Sequence, residues 1–380
     1  MNILVVGGTG VISYAVVQEA VKKGIHVTCI NRGKSKKQIL SPKVEVFITD
    51  YHDEKKIRNF LVGKQYDAVI DVLCFKATDI EYSVNLFKDV CKQYIFFSSC
   101  AVYNKGNGDY VCNEESPLVN PVWDYSINKV ACEKKLIELA SHIGLKYTIV
   151  RPAVTYGNTR IPYGITPPYG YHGTIIQRLL HNKPIVLWDN GQAISTITRV
   201  EDFAVGLVGL LGNPKAYNEC FNIVGDERHK WKDVIDVLAE ILGVIPNYVN
   251  LSKEQLAIEM PTRRGEILGG RGISQYLDNS KLKKVVPDFK TYIPLREGLK
   301  KTVDYYQSNN YLLGIDYRFD ATWDCIAEKY SQSKKTWHFV DYLNSASVHD
   351  MFIYYTEKKS KIRVVKIFQH LIERIYEKLK

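Results

Sequence analysis

Short apolar, β-branched runs alternate with segments of helical spacing over the first 150 residues. The first run, Met1 to Val6, leads into a glycine-rich turn and then into apolar residues at helical spacing from Val11 to Val21. Similar runs predict strands at 26–30, 44–48, 68–73, 94–97 and 146–150. Strands that alternate with helices predict an α/β fold of parallel βαβ units in a doubly wound, Rossmann-like sheet, with ligands bound at the carboxyl ends of the strands.

The pattern changes after the sixth predicted strand. Residues 160–173 are dense in Pro, Gly and Tyr and cannot hold a regular helix, so we predict a substrate-side loop there. Helical spacing returns at 202–211, 231–242 and 295–307. The predicted division is a dinucleotide-binding domain over 1–158, a smaller mixed substrate lobe over 159–330 with elements near 196–212 returning to the first domain, and a basic helical extension over 331–380.

Composition fits a folded chain. The 380 residues are 46% hydrophobic and 24% charged, which excludes general disorder and a fibrous repeat. Apolar runs fall short of the roughly 20 residues that span a bilayer, and no export signal is visible. Eight cysteines are scattered without C-x-x-C pairs, which is typical of buried thiols in a reducing compartment. We therefore expect a cytoplasmic protein without disulfides or a metal site.

Positive charge is concentrated near the C-terminus. The net charge is +10, and residues 331–380 contribute half of it, with ten basic and five acidic side chains. A nucleic-acid footprint over the main domain is therefore not predicted. Within this extension, 361–380 has an apolar stripe and basic residues elsewhere, which predicts an amphipathic helix. Such a helix docks on its own protein, pairs with another subunit, or makes peripheral contact with an anionic membrane.

The glycine turn after the first strand is suited to a dinucleotide. Gly7 and Gly10 let the backbone turn tightly and approach a pyrophosphate, and the next helix offers free N–H groups and the positive end of its dipole. Ser13 stands where a third glycine is usual, which predicts slightly wider packing of the helix on the strand. A purely structural glycine turn is the alternative. The neighbouring cofactor contacts are predicted at Thr9, Val11 and Ile12, with Leu73 and Pro152 at the ends of later strands.

Residues after the second strand indicate which dinucleotide binds. A carboxylate there would bind a free adenosine ribose and disfavour a 2′-phosphate, but the chain has Asn31 and Arg32, followed by Lys34, Lys36 and Lys37. This charge favours NADP over NAD, and the alternative is a solvated basic loop. Asp50, which closes the third strand, is predicted to bind the adenine amino group unless it is an ordinary turn aspartate.

Tyr125 and Lys129 are four residues apart, so a helix would place both on one face. A phenol with a pKa of about 10 is a poor base at neutral pH, but a nearby ammonium favours the phenolate. Ser99 lies 26 residues before Tyr125 at the end of the fifth strand, where its hydroxyl can bond a reacting carbonyl. The order of glycine turn, strand-end serine and helical Tyr/Lys pair predicts a redox site.

With these motifs the chain resembles the extended short-chain dehydrogenase/reductase superfamily, in particular its nucleotide-sugar epimerase/dehydratase branch, over residues 1–330. The motifs that carry the resemblance are Gly7-Gly8-Thr9-Gly10, Asp50, Ser98 to Tyr103, Tyr125 to Lys129 with Glu133, Arg151-Pro152 through Tyr156-Gly157, Arg199 to Asp202, Phe221-Asn222-Ile223 and Asp278 to Lys281. The resemblance implies transient hydride transfer from a sugar carbon to NAD(P), with Tyr125 as base, Ser99 orienting the oxygen and Lys129 tuning Tyr125. An epimerase then returns the hydride to the other face of a keto sugar.

Two residues after Ser99 indicate which reactions of this family are expected. Dehydratases of this family carry an Asp-Glu pair after the strand-end hydroxyl and decarboxylases keep a glutamate, but this chain has Cys100 and Ala101, which supply no acid or base. Epimerase and simple reductase remain. Ser195 stands where relatives often place a phosphate-binding arginine, so Arg199, Arg263, Arg264 or Arg271 is expected to supply that charge unless these are surface residues. The further predicted substrate contacts are Cys100, Tyr163, Tyr169 and His172.

The resemblance also implies a homodimer paired through two helices, with the Tyr125-bearing helix as a candidate for that face. Three classes of function remain: an enzyme acting on a nucleotide sugar, a redox-sensing or RNA-associated binding protein on the same scaffold, and a membrane-tethered scaffold. Only the first requires the Ser/Tyr/Lys set.

Overall fold

The computed structural model describes residues 1–33, 39–106, 108, 110–311, 314–331 and 347–359. The chain forms two compact units. The first contains Met1–Gly157, Ala193–His229 and Thr262–Gly298, and the second contains Asn158–Gln192, Lys230–Pro261 and the described part of Leu299–Lys380. The predicted amphipathic helix over 361–380 and the three lysines after Gly33 lie outside the described residues.

Strands and helices alternate along most of the chain. The strands are β1 (Asn2–Val6), β2 (His26–Asn31), β3 (Glu45–Ile48), β4 (Ala68–Asp71), β5 (Gln93–Phe97), β6 (Val111–Cys112), β7 (Lys146–Pro152), β8 (Val154–Tyr156), β9 (Ile185–Trp188), β10 (Ile194–Arg199), β11 (Glu219–Ile223), β12 (Arg228–Lys230), β13 (Tyr248–Leu251) and β14 (Tyr276–Leu277). The helices are α1 (Val11–Lys22), α2 (Glu54–Leu61), α3 (Ala77–Phe87), α4 (Asp124–Ile143), α5 (Gly173–Leu180), α6 (Val200–Leu210), α7 (Trp231–Leu242), α8 (Lys253–Glu259), α9 (Arg264–Glu266), α10 (Ser280–Val285), α11 (Leu295–Gln307), α12 (Tyr317–Tyr330) and α13 (Val348–Lys359).

A seven-stranded parallel sheet forms the centre of the first unit, in the order β11-β7-β5-β4-β1-β2-β3. The central strand β1 is apolar on both faces because helices cover both: Ile3 and Val5 pack into one core with α1 and α6, and Leu4 and Val6 pack into the other with α3 and α4. The predicted α/β class with a doubly wound parallel sheet is confirmed.

The strand order reverses between β1 and β4, and this switch point positions the site. Val6 is paired with Asp71, and Asp71 is paired with Phe96 on the other side. The turns that follow these three strands therefore leave the same edge of the sheet side by side. In doubly wound sheets ligands bind at this edge, outside the carboxyl ends of the strands.

Helix α4 carries the Tyr/Lys pair and is the longest described helix, with 20 residues. It ends at Gly144, whose φ of 69° is the left-handed conformation that glycine adopts most readily after a helix. Its inner face, which includes Cys132 and Leu136, packs into the core shared with α3. This packing fixes the rotation of α4 and directs Lys129 toward the ends of β4 and β5.

The second unit has its own core and its own buried charges. Tyr163, Trp188, Trp231 and Trp323 pack together, with ring centroids 5.5–6.4 Å apart. Beside them Arg178 and Lys183 pair with Asp320 and Asp324 at 2.5–3.0 Å, and each of these side chains is at most 1% exposed. Across the described ranges no helix has both the length and the hydropathy needed to cross a bilayer.

Candidate active site

The glycine turn between β1 and α1 has little room for side chains. Gly7 has a φ of +87°, and a Cβ there would lie 2.8 Å from Val72 Cγ2. A Cβ on Gly8 would lie 2.6 Å from the sulfur of Cys29. Gly7 requires glycine for both its left-handed backbone and its close neighbour, whereas Gly8 requires it because of the close neighbour alone. Thr9, Gly10, Val11 and Ile12 then lead into the first turn of α1 and are not fully buried.

Ser13 connects this turn to the helix. Its hydroxyl donates to the carbonyl oxygen of Gly7 at 2.5 Å and accepts from the amide of Gly10 at 3.0 Å. The side chain is 2% exposed. The serine in place of a third glycine therefore stabilises the turn directly, which the sequence alone did not predict.

Three predicted adenosine contacts lie at or after the ends of β2 and β3, at the same sheet edge. Asn31 is 7% exposed, and its side-chain oxygen and nitrogen have no hydrogen-bond partner among the residues the structure describes. Arg32 is exposed, and Asp50 is exposed and accepts from the amide of His52 at 2.8 Å. A buried amide without a partner costs free energy unless a ligand binds it, so Asn31 fits a polar cofactor group.

Lys129 is held at the carboxyl ends of β4 and β5. Its ammonium donates to the carbonyl oxygens of Cys74 and Phe97, both at 2.7 Å, and the residue is 2% exposed. Burial lowers the pKa of Lys129, while nearby thiol and carboxyl groups act in the opposite direction. An ammonium has three N–H donors, and two are used here, which leaves one for a ligand.

Two hydrogen bonds, one before Ser99 and one after it, join the Ser99 segment to the start of α4, which carries Tyr125. Lys129 binds the Phe97 carbonyl before Ser99, and Ser126 donates to the Ala101 carbonyl after it at 2.5 Å. The Tyr125 ring centroid lies 5.9 Å from the Lys129 ammonium. Ser99 is half-buried, and its oxygen accepts from the amide of Ala101 at 3.1 Å. The structure thus brings the Ser99 and Tyr125 segments together beside Lys129.

Other predicted contacts are placed less favourably for substrate. Cys100 is 1% exposed, and its sulfur donates to the Arg151 carbonyl at 3.0 Å. Arg199 is 1% exposed and bonds Glu201 and the Gly298 carbonyl. Tyr163 is 3% exposed, and its hydroxyl donates to the Val186 carbonyl at 2.6 Å. These internal bonds favour a structural role for each side chain.

The remaining predicted residues divide between the units. In the first unit Pro152 is buried at the end of β7, and Leu73 packs against Gly7. In the second unit Tyr169 is 65% exposed and stacks near His172, with ring centroids 6.4 Å apart. His172 is buried, and its Nδ1 accepts from the amide of Ile161 at 3.0 Å.

A basic group near Tyr125 includes a residue that sequence reasoning missed. Lys105 donates to the Gly270 carbonyl at 2.8 Å, and its neighbour Arg271 lies 3.7 Å from Glu266. The same carboxylate binds Arg263 at 2.7 Å. Two arginines thus share one carboxylate, and Lys105 joins this group through the carbonyl of Gly270, the residue before Arg271. The residue Lys105 is half-buried, but its ammonium is enclosed, and burial together with Arg271 lowers its pKa to about 7.

The basic group lies against the start of α4. A Cβ on Gly270 would lie 3.0 Å from the Trp123 ring, and the Trp123 and Tyr125 rings are 5.1 Å apart. Asn120 donates to the carbonyls of Ala101 and Gly269, at 3.1 and 2.8 Å. A single lysine six residues after Ser99 carries no pattern of its own, so only the folded contacts identify it.

Together, the parallel sheet, the tight glycine turn at its switch point and the strand-end serine beside a helical Tyr/Lys pair define an extended short-chain dehydrogenase/reductase. The family model described as "NAD dependent epimerase/dehydratase family" matches residues 3–223. The chain belongs to this family and is an NAD(P)-dependent epimerase or oxidoreductase of that type.

Two curated relatives show different coverage. The chain is 30% identical over 238 residues to the chloroplast stem-loop binding protein of 41 kDa b from Arabidopsis thaliana, over 60% of this chain and 59% of that protein. It is 24% identical over 334 residues to a putative UDP-glucose 4-epimerase from Methanocaldococcus jannaschii, over 81% of this chain and 99% of that protein. The second match spans both units.

Solved structures share the fold. The UDP-glucose 4-epimerase of Thermotoga maritima, solved with UDP-glucose, has a TM-score of 0.64 at 23% identity and covers 82% of this chain and 100% of its own. The UDP-glucuronic acid 4-epimerase of Bacillus cereus, solved with UDP-glucuronic acid and NAD, has a TM-score of 0.65 at 20% identity and covers 81% and 100%.

Proposed function

We propose that this protein is a nucleotide-sugar epimerase that uses NAD(P) and passes through a keto-sugar intermediate. The observation that carries the proposal is the Lys129 ammonium, which two backbone carbonyls hold beside the Tyr125 ring. A buried cation at this place has a chemical use, because it favours the phenolate form that a tyrosine base needs.

The residues at the sheet edge fit a dinucleotide. The glycine turn is so tight that a Cβ on Gly7 or Gly8 would collide with a neighbouring side chain, and the Asn31 amide is buried without a partner in the described part of the chain. Gly7, Gly10 and the start of α1 would hold the pyrophosphate, Asn31 and Arg32 the adenosine ribose, and Lys129 the nicotinamide ribose. When bound, the nicotinamide would supply reversible acceptance of a hydride.

The chain's own groups handle the proton. Tyr125 would take the proton from a sugar hydroxyl. It would return the proton after the keto sugar has rotated in the pocket and presents its other face. Ser99 would donate a hydrogen bond to the same oxygen, which holds it in line with the tyrosine. Lys129 would keep the phenolate stable between these steps, because its charge opposes reprotonation.

Residues after Ser99 argue against elimination of water. The Cys100 thiol is buried, and burial raises its pKa well above the ordinary value, so it is neutral near pH 7. Ala101 has no acid or base. An added dehydration would need a second proton-transfer group at this place, which supports epimerisation or simple reduction over dehydration and decarboxylation.

The basic group supports an anionic substrate. Arg263 and Arg271 pair with Glu266, and Lys105 lies near Arg271 on the Gly270 carbonyl, so the positive charges of this group exceed its one negative charge. A diphosphate would balance this excess, and arginine binds phosphate oxygens with two parallel N–H groups. We therefore assign the nucleotide diphosphate to this group.

Turnover of defined substrates tests the proposal. Purified protein is incubated with NAD or NADP and a panel of UDP-sugars, and the epimer ratio is followed by NMR. Tyr125→Phe should abolish epimerisation while the bound dinucleotide is retained, and Tyr292→Phe, at a residue 64% exposed in the same unit, should leave the rate unchanged. Failure to convert any sugar in the panel, or full activity of Tyr125→Phe, would refute the assignment.

Two alternatives predict different results in separate assays. A reductase supplied with NADPH and a carbonyl substrate would consume NADPH in stoichiometric amounts and form an alcohol. The name of the Arabidopsis relative refers to stem-loop binding, and an RNA-binding role would show salt-dependent affinity for a stem-loop RNA that Tyr125→Phe does not change. The folded Lys129 contacts favour the enzyme.

A further inference from the structure

Asp71 is a fully buried carboxylate next to the candidate site, and no sequence motif includes it. It is the last residue of β4 and is 0% exposed. Its partners across the sheet are Val6, which precedes the glycine turn, and Phe96, which precedes the carbonyl that binds Lys129. Asp71 therefore lies where the cofactor half and the catalytic half of the site meet.

Neutral donors surround this carboxylate. Its Oδ1 accepts from the amide of Leu73 at 2.7 Å. Its Oδ2 accepts from Tyr51 Oη at 2.7 Å, Ser83 Oγ at 2.5 Å, Tyr94 Oη at 3.2 Å and Cys74 Sγ at 3.3 Å. None of these donors carries a positive charge that would offset the charge of the carboxylate.

Two of the hydrogen bonds shape the turn after β4. The bonds from the Leu73 amide and the Cys74 thiol fold the chain back over Asp71. In this turn the Cys74 carbonyl accepts from the Lys129 ammonium at 2.7 Å. The Leu73 side chain packs against Gly7, 3.2 Å from the place of a Cβ. One carboxylate thus orders a turn that contacts both Lys129 and the glycine turn.

Charge gives a second connection to Lys129. Burial lowers the pKa of Lys129, and the groups that raise it are Cys132, Cys74, Asp71 and Glu133. Burial raises the pKa of both thiols, so they are neutral near pH 7. Glu133 is paired with Arg151 at 2.6 Å. Among these four groups, Asp71 is the carboxylate whose charge no ion pair offsets.

We propose that Asp71 is a positioning residue of the site. Through residues 72–75 it holds the Cys74 carbonyl against the Lys129 ammonium, and through its charge it keeps that ammonium protonated. Asp71 does not face the substrate and acts through Lys129. The effect on turnover rests on the proposed function, whereas the effect on the protonation of Lys129 does not.

The variant Asp71→Asn tests this inference because it keeps the shape and removes the charge. We expect turnover to fall about tenfold or more, which is a part of the roughly 10²–10⁴-fold that a positioned acid–base group contributes. We also expect Lys129, followed by NMR of lysine labelled with ¹³C at Cε, to titrate at lower pH than in the wild type. Asp67→Asn removes the same charge at the other end of β4, where Asp67 pairs with exposed Lys92, and should change neither measurement.

A double-mutant cycle separates positioning from folding. In a Lys129→Met background, Asp71→Asn should cause no further loss of turnover, because Asp71 acts on the reaction only through the Lys129 ammonium. Equal losses in both backgrounds, or an unchanged Lys129 titration, would overturn the proposal.

The inference can still be tested if Asp71→Asn does not fold or if the wild type is inactive on every sugar. Should Asp71→Asn not fold, Asp71→Ser removes the same charge with a smaller side chain whose hydroxyl still accepts hydrogen bonds, and Lys129 should again titrate at lower pH; no change there would also overturn the proposal. If the wild type turns over no sugar, the proposed function fails, and the Lys129 titration still decides this inference.

Discussion

Arg151 and Glu133 form a two-point ion pair behind the candidate site. Arg151 Nε and Nη2 donate to Glu133 Oε1 and Oε2 at 2.9 and 2.6 Å, and both side chains are at most 4% exposed. Arg151 also donates to the Tyr103 hydroxyl at 2.8 Å, and that hydroxyl donates to Asn222 at 2.7 Å. The network connects α4, β7 and β11, so it fixes the helix that carries Tyr125 and Lys129.

Breaking this pair should cost stability. Glu133→Ala leaves a buried guanidinium without its carboxylate, and we expect the free energy of unfolding to fall by about 3–5 kcal/mol. Glu54→Ala breaks the exposed Glu54–Arg58 pair and should cost about 1 kcal/mol or less. Urea denaturation measures both. A loss for Glu133→Ala as small as that of the control would show that the ion pair does not hold α4 in place.

A methyl group in the glycine turn should prevent binding of the dinucleotide. In Gly7→Ala the added methyl would meet Val72 Cγ2 at 2.8 Å at a φ of +87°, so both strain and contact oppose it. In Gly24→Ala the φ of +75° is similar, but nothing lies within 4 Å. We expect Gly24→Ala to cost about 1–2 kcal/mol and to retain the dinucleotide. Gly7→Ala should cost more and lose it, as measured by thermal unfolding and by mass spectrometry of released ligand.

Six of the seven strands of the sheet were predictable from the sequence because each contains a short apolar run, and Gly7, Ser99 and Tyr125 follow such runs or lie at helical spacing from Lys129. The seventh strand, β11, was not predicted. Parallel connectivity then brings the strand ends to one edge. The NADP preference, the homodimer and the cytoplasmic location remain predictions.

The residues that sequence reasoning missed depend on distant contacts. Asp71 is bonded by Tyr51, Ser83 and Tyr94, which lie 20, 12 and 23 residues away in the chain. Lys105 contacts Gly270, 165 residues away. Neither contact leaves a period or a motif in the sequence. The one local sign was an acidic residue at the end of the apolar strand β4, which is also common at solvent-exposed strand ends.

Binding of the substrate should depend on pH near neutrality. Burial and Arg271 lower the pKa of Lys105 to about 7, so Lys105 is charged below this pH and neutral above it. The affinity for UDP-glucose, whose diphosphate does not titrate in this range, should therefore weaken up to about tenfold from pH 6 to pH 8. Calorimetry should show that Lys105→Met binds weakly at both pH values. Lys92→Met, at a side chain 72% exposed, should bind like the wild type.

We expect the choice of cofactor to depend on Arg32. It is exposed after β2, and the Asn31 side chain beside it supplies no carboxylate against a 2′-phosphate. A charge-assisted hydrogen bond is worth about 1.5–3 kcal/mol, so Arg32→Ala should weaken NADP binding roughly ten- to hundredfold and leave NAD binding nearly unchanged. Fluorescence titration with NADPH and NADH measures both. Arg58→Ala, at an arginine on α2 with a 48% exposed side chain, should alter neither affinity. Several structures with the same fold were solved with NAD. If the wild type binds NADH more tightly than NADPH, Arg32 does not contact a 2′-phosphate and is a solvated residue of the loop.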